Sequence, residues 1–253
     1  LNASLDGGSG NVTVRASGAI SQMAAGDITT TAGTIDVEST GGTITMDDGA
    51  VAQTGGGSIR YKASGDITVG MLDARTSTNR TNGLLTGQAA SWGQVSILSG
   101  ASILDNAETT VDVYARELRI NATTATGAAT NHLETETDKV SASSGANGLF
   151  MVEATAVTVG QTAAVTVQRV GRDGATLTPT TDAIQNDFVV ISSPARCSRS
   201  RREIFSLCFC LSSSSFRVSG RIGTGSVGGC GEDACSMKIL KAFIAWIKDA
   251  KSL

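Results

Sequence analysis

The sequence predicts an all-β fold, a right-handed three-sided parallel β-helix (a β-solenoid), over residues 1–190. Three observations carry that expectation. Aliphatic anchors Val12, Ile20, Ile28, Ile35, Ile44, Val51, Ile59 and Ile67 recur at steps of seven to nine residues. Within each unit the residues alternate, as in Val12/Val14, Ile35/Val37, Ile59/Tyr61 and Ile67/Val69, with Thr13, Asp36, Arg60 and Thr68 between them, which is the period-two pattern of a half-buried strand. The segments opening at Gly10, Gly33 and Gly57 align with one another, and their starts lie 23 and 24 residues apart, so three short units make one larger repeat.

Three strands and three corners return the chain to its starting point one rung higher. Each strand then pairs in parallel with its counterpart about 4.8 Å away, and parallel connections coil right-handed by default. Glycine at the unit boundaries is expected to supply the positive φ of sharp corners. Val12, Ile35 and Ile59 should form one internal column, and Ile20, Ile44 and Ile67 a second. Tyr61 points inward in this register. Aromatics make up 4% of the chain and hydrophobic residues 40%; small aliphatic side chains suit a narrow interior. A conventional β-sandwich would not require the 23–24-residue phase.

The phase breaks after Met71, Leu72 and Asp73. Residues 74–92 read as a loop insertion standing where a third strand is due. The eight-residue step resumes at Val95 and Ile103 and runs through Val111, Leu118, Leu133, Val140, Leu149, Val157 and Val165. Residues 121–131 and 171–179 read as loops bulging from corners, and roughly six or seven coils fit the length.

Charge and cysteine content change abruptly near residue 190. Residues 1–190 carry 10 Lys+Arg, 19 Asp+Glu and no Cys; residues 191–253 carry 10 basic and 4 acidic residues and all five Cys. The two net charges, −9 and +6, sum to the −3 of the whole chain. Residues 191–236, rich in Arg, Ser and Cys, read as a low-complexity tail, disordered or out of frame. Cys197, Cys208, Cys210, Cys230 and Cys235 contain no C-x-x-C pair, which argues against zinc. Residues 237–253 have helical spacing, with Leu240, Phe243, Ile244 and Ile247 on one face, and read as a basic amphipathic helix. The chain begins with Leu1 rather than Met, as expected of a processed product or a fragment.

The Gly-x-Ile/Val units around Ile20, Ile28, Ile44 and Ile67 resemble the repeats of filamentous-haemagglutinin-like proteins. Residues 65–75, 92–97, 102–105 and 165–174 running into Thr181, Asp182 and Ala183 resemble the β-strand repeats of giant bacterial adhesins. The likeness covers residues 1–190. It implies a β-helix stalk, display at the bacterial cell surface or secretion, and a long parent chain. Its implied partners are a host or cell-surface receptor or a matrix glycan, together with flanking repeats. It carries over no catalytic residue.

The negative net charge disfavours a general nucleic-acid binder. No apolar run of about 18 residues exists to cross a bilayer as a helix. A triad or thiol enzyme needs a base beside a nucleophile; His132 is the chain's one histidine and reads as a corner residue, and the body has no Cys. No G-x-x-x-x-G-K-[ST] phosphate loop occurs. A polysaccharide lyase or glycosidase is the competing reading. It would need clustered carboxylates beside an aromatic platform, and residues 74–92, with Arg75, Arg80 and Trp92, are the best place for one. Asp48, Asp73 and Asp105 are expected at one corner of successive coils, where stacked carboxylates would repel unless a cation such as calcium lay between them. Turn-favoured Asp in water is the plainer reading of these three. Sequons at Asn2, Asn11, Asn79 and Asn121 are expected by chance in so Thr/Ser-rich a chain. The sequence is expected to be non-enzymatic, an adhesive and structural β-helix segment of a large bacterial surface-exposed or secreted protein.

Overall fold

A computed structural model describes residues 1–81, 89–107, 109–186, 188–190 and 217–218. These form a parallel β-solenoid of about six turns with three sides. The first side stacks Val12–Ala16, Ile35–Ser39, Ile59–Ala63, Gln94–Ser99 and the second halves of Val113–Ala122 and Leu133–Ser144. The second side stacks Ile20–Gln22, Ile44–Met46, Ile67–Val69, Ser102–Asp105 and Ala125–Thr126. The third side stacks Leu5–Asp6, Ile28–Thr29, Val51–Gln53, Met71–Asp73, the first halves of Val113–Ala122 and Leu133–Ser144, and Met151–Glu153.

Register follows from the alternation. Val12, Ile35, Ile59, Val95, Leu118 and Val140 pair rung to rung, as do Ile20, Ile44, Ile67 and Ile103, so both expected columns form. Ile35, Ile44, Ile59 and Ile67 are fully enclosed, and each such side chain contributes roughly 1.5–3 kcal/mol of burial. Tyr61 lies inside, between Val37 and Ile97 in its column. Its phenol donates to Gln22 Oε1 at 2.9 Å, which satisfies two polar groups the interior would otherwise strand.

Several anchors move. Ala52, not Val51, pairs with Ile28 and Leu72 in the inward column, and Val51 is half-exposed. Ala52 lies eight residues after Ile44, the same step that separates Ile20 from Ile28, whereas Val51 lies only seven after it. Val113 and Val159, which alternate with Val111 and Val157, take inward places opposite Thr135 and Val140. Met71–Asp73 is itself the third-side strand, so the insertion follows that strand instead of replacing it; it contains a helical turn at Ser77–Thr81 and another at Ala89–Ser91. Within residues 121–131, Ala125–Thr126 continues the second side.

The repeat glycines serve sterics more than positive φ. Gly33, Gly57 and Gly93 are outside the left-handed region, yet a Cβ on each would collide with the carbonyl oxygen of Gly10, Gly33 and Gly57 respectively, one rung below. The boundary expectation of positive φ holds at Gly49 and Gly56.

The largest departure is at Val165. Val165–Val170 is not a rung; it pairs antiparallel with Leu177–Asp182 in a hairpin that crosses the outer surface of the first side. Residues 171–179 are its turn and returning strand, not a corner loop. Phe188–Val190 then rejoins the solenoid beside Ala142–Ser144. The tail and the helix expected at residues 191–236 and 237–253 lie outside the described residues, apart from Arg217–Val218, whose backbone pairs with Thr158–Val159.

Candidate functional site

The register decides where each candidate carboxylate sits. Asp48 is exposed in the turn after Ile44–Met46. Asp105 ends the second-side strand above, opposite Val69. Asp73 lies on the third side, opposite Gln53 and Tyr114. The three therefore do not share one corner. Each lies at or just after a strand end, which made them look equivalent, but Asp48 and Asp105 belong to the second side and Asp73 to the third.

Asp73 is committed to guanidinium groups. Its Oδ1 accepts from the Arg75 amide (2.9 Å) and Arg75 Nε (3.0 Å), and its Oδ2 from Arg75 Nη2 (2.8 Å) and Arg80 Nε (3.0 Å). The Arg75 guanidinium lies 3.4 Å over the Tyr114 ring, a cation–π contact strengthened by desolvation. Burial pushes the Tyr114 hydroxyl up, with Arg75 opposing. Trp92 meets Tyr114 edge to face at 6.4 Å and donates Nε1–H to Asn79 Oδ1 at 2.8 Å. Trp92 is 3% exposed. Among the described residues, Trp92 packs on Tyr114, Arg75 on Tyr114 and Asp73, and Arg80 on Asp73. Asn79 is buried, which closes its amide to glycan attachment, and Asn11 accepts the Thr34 amide and hydroxyl through Oδ1.

A different carboxylate group is assembled by stacking. Because Val113 pairs with Thr135, Asp112 falls beneath Glu134 in the next rung. Glu134 N donates to Asp112 Oδ2 at 2.8 Å. Asp105 joins them from the adjoining corner, and one carboxylate oxygen from each of Asp105, Asp112 and Glu134 lies within 4.8 Å of the others. Such an all-oxygen set is the type that hard cations such as calcium accept. Of the expected calcium residues, Asp105 alone belongs to it. Asp112 and Glu134 stand one position before the inward residues Val113 and Thr135, so their stacking follows once those two rungs are set in register.

The top of the third side holds two more acids. Glu153 occupies the inward column above Thr135; its Oε2 accepts from Thr135 Oγ1 at 2.7 Å and its Oε1 from Thr137 N at 2.8 Å. Burial pushes the carboxyl up, to about 8, against the lowering effect of those two donors, and Glu136 adds to the rise. Burial raises Glu136 too, although Thr155 Oγ1 donates to it at 2.7 Å.

The outward row of the first side is ionic. Arg60 Nη1 pairs with Asp36 Oδ1 at 2.8 Å and Arg60 Nε with Asp182 Oδ2 at 3.1 Å. Arg169 Nε pairs with Asp36 Oδ2 at 2.7 Å, and Arg169 also binds Glu38. Burial would raise Glu38, but Arg169, Arg60 and Lys62 hold it below the usual carboxylate range. Opposite charges at Asp36 and Arg60 were readable from the 24-residue step; Arg169 and Asp182 lie too far along the chain to be read that way.

His132 stacks edge to face on Phe150 at 6.2 Å. The cysteines fall outside the described residues. Among the described residues, no helix is long and apolar enough to cross a membrane. Neither a protein-family model, a curated protein nor a solved structure matches the chain.

Proposed function

We propose that this chain is a non-enzymatic segment of a bacterial surface-exposed or secreted adhesin-like protein, and that its work is extension and display. The observation that carries the reading is the fate of the side chains placed outside the coils. Asp73 pairs with Arg75 and Arg80, Asp36 with Arg60 and Arg169, and Asp182 with Arg60. What remains is a stack of hydrogen-bonded rungs, each held by its neighbours, which suits a stiff spacer. Contacts to a host or cell-surface receptor, or to a matrix glycan, would then fall to corners and loops.

The reading is tested by two assays on one preparation. Labelled protein is applied to a glycan array and to host cells, and the same protein is incubated with acidic and neutral polysaccharides while product ends are counted. Saturable surface binding without new product ends is expected. Polysaccharide cleavage that disappears in Asp112→Asn would overturn the proposal in favour of a carbohydrate-active enzyme.

A further inference from the structure

The chain leaves the solenoid in the middle of a rung and resumes it in register. Thr158 and Val159 pair with Lys139 and Val140, and Phe188, Val189 and Val190 pair with Ala142, Ser143 and Ser144. Gly160 falls opposite Ser141, so joining Gly160 to Phe188 would leave an unbroken strand. The residues between them are an excursion out of a rung that is complete without them.

That excursion descends the first side from the last coil to the first. Thr162 meets Ser141 hydroxyl to hydroxyl at 2.6 Å. Ala163 N donates to Glu117 Oε2 at 2.7 Å, and Gln185 Nε2 to Ile120 O at 2.7 Å. Arg119 Nε donates to Ala183 O at 3.0 Å. Asp182 then takes Arg60, and Arg169 takes Asp36 and Glu38. At the far end Gln168 N donates to Thr34 Oγ1 at 2.8 Å and Val170 N to Thr13 Oγ1 at 2.9 Å. Val165 and Val167, in the hairpin's first strand, are wholly buried.

We propose that the hairpin Val165–Val170/Leu177–Asp182 is a clasp that couples the first coils energetically to the last. A solenoid without such a strap is held by nearest-neighbour interfaces, so its end coils fray independently. Here the first coil, at Thr13, and the sixth, at Ser141, are gripped by one continuous element. Opening the first coil means breaking the Val170–Thr13 hydrogen bond as well as one rung interface, and opening the first two means also breaking the ion pairs of Arg169 with Asp36 and Glu38. The coupling is absent until the last coil exists to anchor the excursion, so the first coils reach their final stability only when the chain is complete through Val190.

The test is hydrogen exchange on the full chain and on two variants altered outside the coils. One variant deletes residues 161–187 and joins Gly160 to Phe188; the other is Arg169→Gln. In both, amide protection at Val12–Ala16 and Ile35–Ser39 is expected to fall roughly tenfold or more, toward that of an independently fraying end, while Glu117–Ala122 changes little in Arg169→Gln. If the deletion does not fold, Arg169→Gln decides alone. Unchanged protection in the first two coils of Arg169→Gln would overturn the clasp and leave the hairpin a surface ornament.

Discussion

Glu153 stands directly over Thr135 in the inward column of the third side, and the Thr135 hydroxyl donates to it at 2.7 Å. Lower rungs fill the same column with Ile28, Ala52, Leu72 and Val113. The column therefore ends in a carboxyl group whose proton is held up to about 8, against an ordinary 4.5. A raised folded-state value means that the folded protein binds the proton more tightly than the unfolded chain. The stabilisation is complete below the ordinary value and is lost as pH rises through the interval to about 8. The loss is at most about 1.4 kcal/mol per pH unit. The urea midpoint is expected to fall across that interval, and Glu153→Gln, which mimics the protonated acid, should flatten most of the slope. The remainder belongs to Glu136, whose carboxyl burial also raises. Glu38 and Glu117, both held below the usual range, act at lower pH and in the opposite sense. A slope undiminished in Glu153→Gln would place the titration elsewhere.

Asp73→Asn should destabilise the protein by the same amount with and without calcium. The Asp73 side chain is 1% exposed and serves two guanidinium groups. Removing the charge strands Arg75 and Arg80, at a cost of about 3–5 kcal/mol for a broken buried pair. A calcium-dependent cost, measured by melting in calcium and in chelator, would restore Asp73 to a cation site.

Tyr61→Phe tests the hydrogen bond between Tyr61 and Gln22 inside the coils. The ring volume stays, so the column remains filled, but Gln22 Oε1 loses its 2.9 Å donor. Gln22 is 1% exposed, so water does not replace the phenol. A loss of about 1–3 kcal/mol is expected from the unsatisfied acceptor. A neutral substitution in denaturant melts would show that Gln22 finds another partner.

The columns of Ile20, Ile44 and Ile67 were legible because alternation encodes facing directly, and a 23–24-residue phase then fixes the rung. Ala52 was passed over for Val51 because hydrophobicity favours the larger side chain, although Ala52 is the residue that keeps the eight-residue step from Ile44. The hairpin was hidden for a related reason. Val165 and Val167 alternate as any rung does, and nothing local distinguishes pairing with the next coil from crossing the sheet's outer face. Its partners Asp36 and Thr13 lie more than a hundred residues back, at separations of 133 and 157. Asp105 was found as a corner acid, but Asp112 and Glu134 were missed because the group depends on which rung Val113 joins.

The glycines separate two physical roles that one substitution can tell apart. Gly57 has an ordinary φ, so an alanine there is not strained by its backbone. A Cβ would nevertheless run into the carbonyl oxygen of Gly33, which belongs to the rung below and is fixed by the pairing of Ile35 with Ile59. Relief requires the two rungs to part locally, at a cost of about 1–3 kcal/mol or more, as for an overpacked core. Gly18 is also at a unit boundary and also lacks a positive φ, but a Cβ there meets nothing within 4 Å. Gly18→Ala is therefore expected to be neutral or to gain about 0.4–1 kcal/mol by restricting the unfolded chain. Gly57→Ala should lower the denaturation midpoint while Gly18→Ala does not. Equal effects of the two would mean that backbone freedom, not the approach of Gly33 O, is what each unit boundary requires.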